Sequence, residues 1–165
     1  MKKVFLPIAG VIIFIVAVGI LTRKAQTGSI SLRPAPSATP ISLNEIAIGD
    51  TKIVVELADS KEERTKGLSS RTSLPENQGM LFVFGEKNVF PTFWMKDTLI
   101  ALDIIWINDD KVAQITKNIQ PEPEKSDREL TRYNPDKPVD YVLEVNAGFS
   151  DKNNFNVGDS IGGLP

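Results

Sequence analysis

Two carboxylates stand among apolar neighbours in this chain: Asp103, in Leu102-Asp103-Ile104-Ile105, and Glu144, in Leu143-Glu144-Val145. Burying a carboxylate in such surroundings is costly unless it is hydrogen-bonded or paired. Each therefore has either a structural partner or a chemical task. On neighbouring strands the two would suit glycoside hydrolysis, about 5 Å apart for retention or about 6.5–9.5 Å for inversion, with the acid's pKa raised by its apolar setting. Asp103 fits equally well an ion pair with Arg71 or Lys96, or bonds to backbone amides at a strand end. Phe93, Trp94 and Tyr133 offer stacking platforms for a sugar, and are also ordinary core or rim residues of a small β-protein. Pro91 leads Phe93-Trp94-Met95-Lys96 in extended. That run reads either as core packing with a snorkelling Lys96 or as an aromatic and cationic rim for a carboxylated or sugar ligand. The candidate catalytic residues are Asp103 and Glu144; the candidate ligand-binding residues are Arg71, Trp94, Lys96 and Asn146.

Cysteine and histidine are both absent from the 165 residues. Disulfides, thiol nucleophiles, Ser-His-Asp and Cys-His catalysis and the usual zinc sites are thereby excluded. Any enzyme here works with carboxylates, lysine, or an oxygen-ligated metal. Oxygen-ligand sites are weak as well. Asp109-Asp110 has no third ligand nearby, and Asp151 to Asn156 starts like a calcium loop but lacks its glycine and its closing glutamate. No metal and no cofactor is expected.

The elements that must position these groups are mostly strands. Thr51 to Leu57 alternates with Ile53, Val55 and Leu57 on one face. Ser60 and Glu63 form a capping box for a short helix over Lys61 to Lys66, with Gly67 at its C′ position; this helix is expected to turn the chain rather than to carry chemistry. Met80 to Phe84 reads as a buried strand. Leu99 to Ile107 and Lys111 to Thr116 flank Asn108-Asp109-Asp110 as a hairpin. Tyr141 to Ala147 is a further strand, and Val157 to Ile161 a turn into a last short one. The expected fold is mainly β, with α+β as the alternative: a small closed or strongly coiled antiparallel sheet or barrel with one short helix. Pro121 to Asp140 interrupts it with four prolines and ten charged residues, either a lid or a solvated loop, with Tyr133 able to anchor it to the domain.

Upstream, Val4 to Leu21 is an uncharged run of 18 residues between Lys2-Lys3 and Arg23-Lys24. At ~1.5 Å per residue it is just long enough to cross a bilayer core as a helix. It exceeds the roughly 7–15 apolar residues of a cleaved signal peptide, and basic rather than small residues follow it. The reading is therefore an uncleaved signal anchor over residues 1–24, with secretion after cleavage as the other possibility. Positive charge at the start orients the amino terminus inward and the remainder outward. Residues 25–45, rich in proline, serine and threonine, form a flexible tether, and residues 46–165 a single domain. The tether and anchor are basic; residues 46–165 hold 20 acidic and 14 basic residues. That balance argues against nucleic acid as a partner.

Gly67-Leu68, Arg71, Gly79-Met80-Leu81-Phe82, Phe93 to Thr98, Leu102 to Ile105 and Leu143 to Gly148 stand in order. The series resembles the DUF192 family, a prokaryotic domain, over roughly residues 48–163. The resemblance implies a compact β-rich fold, often behind a signal or anchor, and supplies no substrate or catalytic residues. Ser69 and Asp97 depart from the family's usual Met and Asn; an ionised Asp97 could not donate a hydrogen bond where Asn could. The functional expectation is a membrane-anchored, extracytoplasmic binding or accessory module for an envelope component or partner protein. The alternative is a carboxylate-dependent hydrolase of envelope glycans.

Overall fold

The computed structural model describes residues 43–165. The run Val4–Leu21 and the tether up to Ser42 lie outside the described residues, and among the described residues no helix is long and apolar enough to cross a membrane.

The elements run β1 (Leu43–Ile48), β2 (Thr51–Ala58), α1 (Lys61–Lys66), β3 (Gln78–Val83), β4 (Leu102–Asn108), β5 (Lys111–Ile119), β6 (Tyr141–Asn146), α2 (Phe149–Lys152) and β7 (Ile161–Gly162). Local chemistry explains most of them. The Ser60 hydroxyl accepts the Glu63 N–H while the Glu63 carboxylate accepts the Ser60 N–H at 3.0 Å, closing the capping box that starts α1. Asp109 and Asp110, with φ of 46° and 57°, form the two-residue turn between β4 and β5, in the left-handed conformation that matches strand twist. The last residues of the expected tether, Leu43 to Glu45, pair with β2 instead.

All seven strands form one sheet in the order β5-β4-β6-β3-β2-β1-β7. It is a curled half-barrel. Its outer strands meet at one end: Val112 donates to the Asp159 carbonyl at 2.9 Å and accepts from Gly158 at 2.8 Å, and Ile161 donates to Asp110 at 2.8 Å. The expected all-antiparallel sheet needs correction, since β2 and β3 run parallel. A parallel neighbour requires a crossover, and α1 with the loop after it supplies one. A second short helix, α2, is also present.

Each face of the sheet carries its own core. The first cluster draws on every strand (Ile46, Ile53, Leu81, Ile105, Val112, Leu143 and Ile161 among them) and takes in Phe149 and Phe155, so it fills the inside of the curl. The second lies on the outer face, where Met80, Phe82, Ile104, Trp106 and Val142 pack under Leu68, Leu74, Phe93, Met95 and Val139 from the loops. Phe82, Phe93 and Trp106 contact edge to face at 4.8 and 5.6 Å, and the Trp106 indole donates to the Thr116 hydroxyl at 2.9 Å. Gly79 lets β3 and β6 approach closely: a Cβ there would lie 2.6 Å from the Glu144 carbonyl oxygen.

Candidate functional site

Glu144 sits on β6, between β3 and β4, in a row that runs Glu56, Met80, Glu144, Ile104 across the outer face. It is 5 % exposed. Among the described residues no donor or cation lies within bonding distance of its carboxyl group. Burial alone pushes its pKa up to about 8. At neutral pH the group keeps its proton and presents an O–H donor rather than an anion.

A cavity of about 210 Å³ opens onto this carboxyl group. Its walls are Phe82, Phe84, Phe93 and Trp94, with Leu68 and Thr98; its mouth carries Lys61, Arg64 and Lys66 of α1 and Lys96. Gly67, at φ 49°, makes room above Glu144, for a Cβ there would come within 3.3 Å of the Phe82 ring and 4.0 Å of Glu144 Oε2. A second cavity of about 420 Å³ adjoins the first through Thr65, Lys66, Ser69, Trp94 and Lys96, and is bounded by Asp127, Leu130 and Arg132. The segment Pro121–Asp140 thus forms a wall of this groove. Lys96 pairs with Asp127 at 2.7 Å, the Arg132 guanidinium stacks 4.6 Å from the Trp94 ring, and Tyr133 exchanges backbone hydrogen bonds with Phe93 at 2.9 Å. Tyr133 anchors the segment through these backbone bonds and through side-chain packing against the outer-face core.

The cations at the mouth differ in freedom. Arg64 donates to the Asp59 and Val83 carbonyl oxygens and lies over Phe84, and Lys96 is held by Asp127. Among the described residues no carboxylate lies within ion-pair distance of Lys61 or Lys66. No three potential metal ligands converge among the described residues.

The structure does not bring Asp103 and Glu144 together. Asp103 pairs in register with Val145 and Glu144 with Ile104, so their side chains leave opposite faces of the sheet. Asp103 is fully buried and accepts backbone N–H groups from Asn118 at 2.9 Å, Gly148 at 3.1 Å and Ser150 at 3.0 Å. Of the structural partners considered for Asp103, backbone amides are the ones present. Arg71 is not its partner: it grips Glu56 with both nitrogens at 2.5 Å. Asn146 shares the outer face of the sheet with Glu144 but does not line its cavity, and it donates to the Leu74 carbonyl at 2.9 Å. Trp94 and Lys96 do line the cavity with Glu144. The helix α1, expected only to turn the chain, supplies the mouth. Its run of basic residues beside Gly67 was the available signal, but helical periodicity alone does not say which face meets a site. Arg71→Lys, which cannot form the two-pronged contact, is expected to cost about 1 kcal/mol of stability and to leave cavity binding unchanged; urea unfolding and a binding assay on the same variant check both.

The DUF192 profile (uncharacterized ACR) matches residues 44–163. This chain belongs to the DUF192 family. Two solved structures resemble this DUF192 protein. One, from Sinorhizobium meliloti 1021 and provisionally described as a transcription regulator, is 30% identical with a TM-score of 0.68, over 76% of this chain and 97% of that one. The other, a protein of unknown function from Novosphingobium aromaticivorans DSM 12444, is 32% identical with a TM-score of 0.64, over 77% of this chain and 91% of that one. Among curated proteins, none matches.

Proposed function

We propose that this DUF192 domain is a non-catalytic binding module for a small, ring-bearing ligand with an anionic group, held in the Glu144 cavity. The apolar run Val4–Leu21 would tether it to a membrane, with the cavity facing the envelope. One observation carries the reading: a largely buried carboxyl group opens into an aromatic cavity beneath Lys61 and Lys66, which have no carboxylate partner among the described residues. A carboxyl so placed makes no hydrogen bond that would hold the fold, and carboxyls shifted by burial in a cleft collect at functional sites. Two adjoining cavities of this size and lining suit a small molecule.

Hydrolysis by paired carboxylates has less support. The only other acidic residue in the Glu144 row, Glu56, stands two strands away, roughly 10 Å by strand spacing, and Arg71 occupies it. A role in transcription, as described for the Sinorhizobium meliloti protein, has less support, since acidic residues outnumber basic ones over residues 46–165.

A thermal-shift screen of the full-length chain against small anionic metabolites tests the proposal. Thr65→Trp, on the exposed surface where both cavities open, is the obstructed control. Hits near 100 times their Kd are expected to raise the wild-type stability by about 2.7 kcal/mol, a shift of several degrees, and to leave Thr65→Trp unmoved. Hits that stabilise both alike contradict the assignment of the cavity.

A further inference from the structure

The cavity is electrically two-ended. At its floor lies the Glu144 carboxyl, unpartnered, beside the rings of Phe82 and Phe93; at its mouth stand Lys61 and Lys66, which have no carboxylate partner among the described residues. Lys61 and Lys66 are exposed whereas Glu144 is buried, so the lysines stand at the opening and the carboxyl group at the floor. An anion alone would satisfy the mouth and could take one hydrogen bond from the protonated floor, but would give the Glu144 carboxyl no countercharge. A cation alone would have to pass the lysines with nothing to offer them. We propose that the ligand is a zwitterion, an amine-bearing phosphate or carboxylate whose ammonium group contacts Glu144 and whose anionic end contacts Lys66 at the junction of the two cavities.

This inference rests on the Glu144 cavity being the binding site and adds the chemical class of what enters it. An ammonium ion suits the floor because it supplies the missing partner to the carboxyl group, which ionises on contact by releasing its proton to solvent. Aromatic walls also favour a cation. The charge-assisted bond so formed is shielded from water and therefore stronger than one at the surface.

Two matched sets of probes test the class by calorimetric titration of the full-length chain at pH 7. Glucosamine 6-phosphate carries both charges, N-acetylglucosamine 6-phosphate only the anion, and glucosamine only the cation. Phenylalanine, N-acetylphenylalanine and phenylalaninamide repeat the series with a carboxylate. In at least one set the zwitterion is expected to bind tenfold or more tightly than both of its singly charged relatives. Glu144→Gln is expected to erase the advantage over the N-acetyl compound, and Lys66→Gln the advantage over the cation. If an N-acetyl compound binds as well as its parent in wild type, and Thr65→Trp still blocks it, the zwitterion inference falls while the cavity stands. If Thr65→Trp binds the probes at full strength, the cavity reading falls as well. Absence of binding in both sets overturns the zwitterion.

Discussion

Asp103→Ala is expected to destabilise the domain by about 3–5 kcal/mol, enough to consume most of the stability of an ordinary domain. The reason is geometric. One carboxylate on the inner face of the sheet joins two separate pieces of backbone, the irregularity in β5 at Asn118 and the start of α2 at Gly148 and Ser150. Gly148 offers α2 no side-chain cap, so Asp103 supplies that acceptor from a neighbouring strand. Truncation removes three hydrogen bonds and leaves three N–H groups without this acceptor, that of Ser150 fully buried. Asp103→Asn keeps one acceptor and turns an NH₂ group toward a backbone N–H; a loss of about 2–3 kcal/mol is expected for it. Urea unfolding followed by the fluorescence of buried Trp106 measures both. A loss below ~1 kcal/mol in the alanine variant would show that water or the backbone replaces the carboxylate.

Glu144 behaves in the opposite sense. Its carboxyl group titrates near 8 in the folded chain, against an ordinary value near 4.5. Between those pH values the unfolded chain has given up this proton and the folded chain has not. The folded state then binds more protons, so its stability falls as pH rises through that window and levels off above it. The full loss is on the order of 5 kcal/mol. Glu144→Gln never ionises and lacks this dependence. The variant is expected to match the wild type at pH 4.5 and to exceed it by several kcal/mol at pH 8. Carboxylates held low elsewhere, such as Glu122, pulled down to about 2 by Lys125 and Thr131, affect both proteins equally and cancel in the difference. A residue whose removal stabilises the fold is kept for another reason, and ligand binding is the reason proposed.

Much of this fold was legible in the sequence because its signals are local. The alternation of β2, the Ser60–Glu63 capping box and the Asp109–Asp110 turn each involve neighbours in the chain. What was not legible depends on distant pairing. The β1 strand hid behind Pro40, where its alternation over six residues looked like the end of a tether, and β3 was read without its parallel partner. Asp103 and Glu144 were singled out as costly carboxylates, and both are buried. Whether the two share a face depends on the register of β4 against β6, and a shift of one residue reverses the answer. Glu56 was passed over because a polar position on an alternating strand looks solvent-facing. Only the sheet places it in line with Met80 and Glu144 and under Arg71.

The most direct test of the account is the titration of Glu144 itself. Carbon-13 NMR of the glutamate side-chain carboxyl signals in the full-length chain, with Glu144→Gln to assign the resonance, gives its pKa without reference to any ligand. The account predicts a midpoint near 8, which a saturating zwitterion lowers as its ammonium group stabilises the carboxylate. A midpoint near 4.5 in the free protein would mean that the group is hydrated or paired, and the case for a functional acid at the floor of this cavity would be lost.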